Sequence, residues 1–228
     1  MSECADDSAA RACHILAPRP LARRAWDFLG IPFRLVLFDQ AWLPSWGWTT
    51  LEEERLRAVL PFVRGRLLDV GAGANRLVRL HGDGVGVDIH DWGGGALVVD
   101  DSSRLPFEAA SFDTITFIAC LNHIPNREAA LREARRLLRT GGRVIATMID
   151  PILGGIGHAI WWYSEDKVRG GMVEGELPGM WSREVLRLCS EAGLRLALRR
   201  RFVYGLNNLF VFEIAEGTEE TGARGDGS

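Results

Sequence analysis

Apolar residues along this chain alternate between short continuous runs and longer stretches with helical spacing. Runs at residues 66–70, 84–88, 96–100, 112–118 and 144–149 are nearly continuously apolar and predict strands. Ala130, Leu131, Ala134, Leu137 and Leu138 mark one face of a helix over 127–139, with Gly141-Gly142 as its stop. A helix begins near Arg76, and Thr50 ahead of Leu51-Glu52-Glu53 predicts a capped helix to about Leu60. Ser182 predicts a second cap, for a helix to about Ala192 that Gly193 ends. Residues 195–203 and 209–215 read as two last strands around the turn Tyr204-Gly205-Leu206-Asn207-Asn208. Strands buried on both faces and alternating with helices imply an α/β fold with a parallel sheet covered on both sides.

Two regions break the rhythm. Residues 21–43 are apolar and aromatic, divided by Gly30 and Pro32 into two short helices, and open an N-terminal cap over 19–62. Residues 151–181 are rich in glycine and aromatics, among them Gly154, Gly155, Gly157, Trp161, Trp162, Tyr163, Gly170, Gly171 and Trp181, and read as an insertion. The polar stretches 1–18 and 217–228 predict disordered ends around a single domain of 19–216.

Composition narrows the function classes. A chain of 228 residues can bury a sizeable core. A net charge of −3 argues against a general nucleic-acid surface. Cys4, Cys13, Cys120 and Cys189 are scattered without a C-x-x-C pair, which suits reduced thiols in a cytoplasmic protein and no zinc site. No cluster of His, Cys and acids has metal-ligand spacing. There is no apolar window long enough for a transmembrane segment and no signal peptide pattern.

The chemistry concentrates in Leu67-Leu68-Asp69-Val70-Gly71-Ala72-Gly73-Ala74-Asn75-Arg76, a strand, a glycine turn and a helix start. Such a turn brings backbone N–H groups up to a nucleotide-like ligand. A dinucleotide fingerprint wants a third glycine where Arg76 stands. Acids close the first two strands instead, Asp69 and, 19 residues later, Asp88. That pair suits a ligand with a ribose and a positive charge better than a pyrophosphate.

Leu68-Asp69-Val70-Gly71-Ala72-Gly73 resembles the first motif of class I S-adenosylmethionine-dependent methyltransferases, and three further segments agree in order. They are Gly86-Val87-Asp88, then Asp101-Ser102-Ser103-Arg104-Leu105-Pro106-Phe107, then Phe112-Asp113 through Leu121-Asn122-His123-Ile124-Pro125 to Leu137-Leu138-Arg139-Thr140-Gly141-Gly142. The resemblance covers about residues 64–150, most closely to small-molecule enzymes of the ubiquinone and natural-product type. It implies a Rossmann-like, doubly wound, seven-stranded sheet with an antiparallel C-terminal hairpin strand. It also implies S-adenosyl-L-methionine as cofactor. Asp69, Gly71, Ala72 and Gly73 would surround the methionine part, and Asp88, with Ile89 beside it, would take the ribose hydroxyls. Asp101 and the Ser102 backbone would receive adenine, and Phe117 and Ile118 would line the sulfonium end. The family often has Gly where Asn75 stands and His where Asn122 stands. Asn tolerates turn conformations. The second change leaves one histidine where two are usual.

Methyl transfer from a sulfonium mainly needs an aligned nucleophile, and a hydroxyl acceptor gains from a base near neutral pKa. His123, after the fourth strand, resembles the family position of such a base. His158 is the second candidate, because the insertion in this family covers the acceptor as a lid. Trp42, Trp46 and Trp48 with Trp161, Trp162 and Trp181 would enclose a flat or greasy acceptor. His14, His81 and His90 read as surface or loop residues. The partner is a small-molecule acceptor, and the chain a monomer or homodimer. Membrane contact through 21–43 is a lesser reading, since Arg23, Arg24 and Arg34 are few. Other readings are a non-catalytic domain that binds the cofactor and, less favoured, an NAD-dependent reductase.

Overall fold

The apolar runs become one sheet, because strands buried on both faces can satisfy their backbone groups only against each other. The structure, a computed structural model, describes residues 12–37, 40–160 and 174–215, without the side chains of 35, 36 and 157–160. Its strands are β1 (Leu67–Val70), β2 (Gly84–Asp88), β3 (Leu97–Val98), β4 (Phe112–Ile118), β5 (Leu138–Ile149), β6 (Leu194–Phe202) and β7 (Asn207–Ile214). They lie in the order β3-β2-β1-β4-β5-β7-β6. All pairs are parallel except those of β7 with β5 and β6. Strand order reverses between β1 and β4, and an open α/β sheet binds its ligand at the carboxyl ends beside that reversal.

Six described helices are used below: α1 (Leu21–Leu29), α2 (Leu51–Val59), α3 (Arg76–His81), α4 (Arg127–Leu137), α5 (Pro151–Ile160) and α6 (Ser182–Glu191). Alternation along the strands divides the core in two. Leu68, Val70 and Phe117 face α4 and α6 through Ala130, Leu131, Ala134, Val185 and Leu188. Leu67, Ile145, Leu209 and Val211 face α2 and α3 through Leu56, Val59, Leu77 and Leu80.

Several boundaries differ from the sequence reading. The third strand shrinks from 96–100 to Leu97–Val98, since this edge strand pairs with β2 alone. The helix over 127–139 stops at Leu137, because Leu138 already pairs with Phe112. The chain then bulges and pairing resumes at Arg143 opposite Thr114, so Gly141, at φ 76°, serves a strand irregularity and not a helix stop. Thr50 caps α2 as expected, its hydroxyl accepting the Glu53 N–H at 3.1 Å. Ser182 does not cap α6: Trp181 holds the cap position, and the Ser182 hydroxyl accepts from Arg199 Nη2 at 2.7 Å.

Of the N-terminal stretch expected to be disordered, residues 1–11 lie outside the described residues, as do 217–228. Residues 12–16 are helical, with Ile15 buried in the second core cluster and the Ala17 carbonyl accepting from Arg57 at 2.7 Å. The insertion opens with α5, whose first turn is capped by Asp150 Oδ1 accepting the N–H groups of Ile152 and Leu153 at 3.1 and 2.9 Å. Trp161, Trp162, Tyr163, Gly170 and Gly171 lie outside the described residues.

The cap is held by charge. Asp27, Arg34 and Glu54 are 0%, 1% and 5% exposed. Arg34 donates to Glu54 at 2.7 Å and to the carbonyls of Asp27 and Thr49 at 2.8 and 2.9 Å. Arg19 closes the knot on Glu54 at 2.8 Å and Asp27 at 2.9 Å, and Thr49 donates to Asp27 through both its N–H and its hydroxyl. Arg34, counted in the sequence among the few basic residues that could meet a membrane, is therefore internal. Removing one partner from a buried ionic group strands the others, at a cost of about 3–5 kcal/mol. Asp27→Ala should lower stability by about that amount in urea unfolding; a loss under about 1 kcal/mol, the scale of a surface pair, would show that the knot does not hold the cap.

Candidate cofactor site

The turn after β1 is pinned to β2. The N–H groups of Gly71 and Ala72 both donate to the Val87 carbonyl, at 2.9 and 3.0 Å. Gly71 has φ 70°, and a Cβ there would meet Cys120 Cβ at 2.6 Å, so both the conformation and the close approach require glycine. Gly73 has φ 51°, and a Cβ there would meet nothing within 4 Å, so this glycine faces open space. Asn75 sits in the left-handed region at φ 57°, as its tolerance of turns allows, and leads into α3.

Asp88 ends β2 beside this turn. Its Oδ2 accepts the Gly73 N–H at 2.9 Å and its Oδ1 the His90 N–H at 3.0 Å. A carboxylate offers about four lone-pair sites, so each oxygen keeps capacity for a ligand hydroxyl. Ile89 follows, 46% exposed. Across the cleft mouth, Asp101 accepts from the Ser103 N–H at 2.8 Å, the Ser103 hydroxyl at 2.6 Å and Asn126 Nδ2 at 3.1 Å. The Ser103 bonds, with help from Asn126, hold its carboxyl below the usual range, and it stays charged.

Asp69 is the electrostatic anomaly. It pairs across the sheet with Thr116 and is 3% exposed. Burial pushes its pKa up to about 7; the Thr116 hydroxyl, donating at 2.5 Å, opposes the rise, and the charge of Asp88 adds to it. No ion pair joins Asp69 among the described residues. A buried acid poised near neutrality, next to a second acid and open space, suits a ligand that brings a positive charge.

Phe117 does not join this group. It is 1% exposed within the main core, while Ile118 packs against the other cluster. The turn that follows, Ala119 at φ 52° and Cys120, is what closes on Gly71. The Cys120 thiol donates to the Val70 carbonyl at 2.9 Å, and burial with the charges of Asp69 and Asp88 raises it well above its ordinary value. It is therefore a structural thiol and not a nucleophile.

His123 ends a short 3-10 turn, Leu121–His123, after β4. Its Nδ1 lies 3.5 Å from Glu176 Oε2, and the Glu176 side chain is only 2% exposed. Asn122, where the resemblance led to an expected second histidine, has a different task. It donates through Nδ2 to the Leu177 carbonyl at 2.9 Å, and its own carbonyl accepts the Leu177 N–H at 2.8 Å. This clamp holds the returning end of the insertion against the strand tips. His158 lies in α5, and its side chain is outside the described residues.

A small crevice beyond β5 is lined by Leu51, Arg55, Ile149, Val203, Leu206 and Asn207. Asn207 is 4% exposed, and its Oδ1 has no partner. Thr116, Asn126, Glu176 and Asn207 were not singled out from sequence. Thr116 alone carried a signal, as a polar residue in an apolar strand. Among the described residues, no group of three His, Cys or acids could hold a metal ion.

Comparison with known proteins finds similar sequences and folds. A methyltransferase-domain family model matches residues 68–146. The chain is 25% identical to an uncharacterised protein of Methanocaldococcus jannaschii, over 75% of this chain and 84% of that one. It is 34% identical to the 27-O-demethylrifamycin SV methyltransferase of Amycolatopsis mediterranei over 47% of this chain, and spans about half (52%) of that enzyme's length. The fold matches a crystal structure from Thermotoga maritima, a S-adenosylmethionine-dependent methyltransferase described as a possible histamine N-methyltransferase, with TM-score 0.54 at 18% identity, covering 88% of this chain and 98% of that one.

The raised pKa of Asp69 has a consequence for stability. The fold favours the protonated acid, so its contribution is complete below 3.8 and is lost as pH rises to about 7. Asp69→Asn should flatten that part of the stability curve in denaturant unfolding across the same window. An unchanged slope would mean that Asp69 is ionised in the fold throughout.

Proposed function

We propose that this chain is a class I S-adenosylmethionine-dependent methyltransferase that methylates a hydroxyl of a small, apolar acceptor, a reading supported by the methyltransferase-domain match over residues 68–146. The observation that carries the site assignment is the grouping of a buried, unpaired Asp69, the open space beside Gly73 and the spare acceptor capacity of Asp88. These residues fit S-adenosylmethionine. Asp69 would face its ammonium group, and Gly71, Ala72 and Gly73, whose N–H groups are held by Val87 and Asp88, would shape the turn that surrounds its methionine part. Asp88, with Ile89 packed alongside, would accept from the ribose hydroxyls. Asp101 and the Ser102 backbone would receive adenine, with Asn126 and Ser103 holding the Asp101 carboxyl in place. Bound there, the cofactor supplies a methyl group already activated by its sulfonium.

The chain's own task is then orientation and proton handling, and orientation alone is worth roughly 7–11 kcal/mol. His123 takes the acceptor's hydroxyl proton at Nε2, and Glu176 beside Nδ1 sets the ring and stabilises the imidazolium that forms. Asn122 acts as a positioning residue, since it ties the segment carrying Glu176 to the turn carrying His123. His158 remains a second candidate base on the lid. A hydroxyl acceptor is also what the printed name of the Amycolatopsis relative specifies for that enzyme.

The test pairs a panel of phenolic and alicyclic alcohols with S-adenosylmethionine and reads methyl gain by mass spectrometry. O-methylated product is expected, and His123→Ala should lower turnover by about 10²–10⁴ with S-adenosylhomocysteine affinity unchanged. Methylation at carbon or nitrogen only would contradict the acceptor assignment. Full turnover in His123→Ala with loss in His158→Ala would move the base to the lid.

A further inference from the structure

Helix α1 is built inside out. Its one buried residue is an acid, Asp27. Its apolar residues point outward: Leu21 is 77% exposed, Leu29 67%, Phe28 55% and Trp26 45%. A helix on the surface of a water-soluble domain has the reverse arrangement. The inversion is enforced, because Asp27 is bound through both carboxylate oxygens by Arg19 and Thr49 and cannot rotate outward.

The exposed face continues beyond the helix. Trp26 and Trp46 stack on the buried Trp48 at 5.5 and 6.2 Å. Phe28 meets Tyr204 edge-on at 5.1 Å, and Trp42 is 64% exposed. The adjoining α5, which contacts the segment Phe33–Leu37, carries no charged residue and exposes Ile152 and Ile156, four residues apart. So extended an apolar face, made by cap and lid together, exceeds the single scattered residues normal for a monomer surface.

Charge identifies the occupant. The outer charges of α1 are the exposed Arg24 and the half-buried Arg23, which also approaches Asp27 at 3.9 Å, since Asp27 is internal. The strand leading to Tyr204 adds the exposed Arg201. Outward tryptophans at Trp26, Trp42 and Trp46, aliphatic side chains and a cationic rim are the make-up of a helix lying in the boundary of an anionic bilayer. Among the described residues no helix is long and apolar enough to cross a membrane, so the contact is superficial.

We propose that the cap and α5 form a docking face for an anionic lipid surface, with α1 lying in the headgroup layer. Resting on the function proposed above, an apolar acceptor then reaches the lid from the bilayer. Co-sedimentation of the full chain with vesicles of phosphatidylcholine plus phosphatidylglycerol should pellet it, and vesicles of phosphatidylcholine alone should pellet less. The L21S/L29S/W42S variant, which alters only exposed side chains, should bind the anionic vesicles roughly a hundredfold more weakly. Its melting temperature and its calorimetric affinity for S-adenosylhomocysteine should not change. Failure of the wild type to pellet, or equal pelleting of the variant, would overturn the docking face. So would a self-associated species that the variant dissolves while vesicle binding is absent. Loss of S-adenosylhomocysteine binding with vesicle binding intact would instead strike the cofactor site alone.

Discussion

A carboxylate taken out of water without a cation is among the costlier things a fold can contain. Asp69 is such a group, fixed at the point where β1 meets β4 by Thr116 and kept near neutrality by burial and by Asp88. The surrounding turn makes sense as the means of keeping that acid next to open space. Gly71 brings the chain hard against Cys120, Val87 pins it from below, and Asp88 holds the Gly73 N–H. On our reading the cofactor's ammonium group completes this unpaired site, so ligand binding and proton release from Asp69 are one event.

Two outer elements are fastened by contacts of their own. The clamp between Asn122 and Leu177 fastens the segment ahead of α6 to the strand tips and brings Glu176 to His123. The ionic knot of Arg19, Asp27, Arg34 and Glu54 fastens the cap. Because the knot occupies the inner side of α1, the apolar side chains have nowhere to go but outward. The character of the outer surface is thus a consequence of these buried charges.

Much of the sheet was legible in the sequence because its signals are local. A run such as Phe112–Ile118 is apolar enough to be a buried strand wherever it sits, and Asp69-Val70-Gly71-Ala72-Gly73 carries its turn chemistry within a few residues. What stayed hidden depends on long-range partners. Arg34 counts among the few basic residues that could meet a membrane until Glu54, 20 residues on, is brought beside it. Glu176 has no motif, and only the clamp to Asn122 places it. Phe117 shows the converse error: its position at a strand tip suggested a ligand contact, but the pleat turns its ring into the core. Gly141 had the look of a helix stop because the early start of β5 is set by pairing with Phe112, which helical spacing does not register.

The most direct test of the central claim is calorimetric titration of S-adenosylhomocysteine in buffers of different ionisation enthalpy, near neutral pH. Release of protons on binding by the wild-type protein, absent in Asp69→Asn, is the predicted result, since a ligand ammonium would pull Asp69 from its raised pKa of about 7 toward ionisation. Binding without proton release, or with the same release in Asp69→Asn, would contradict the account.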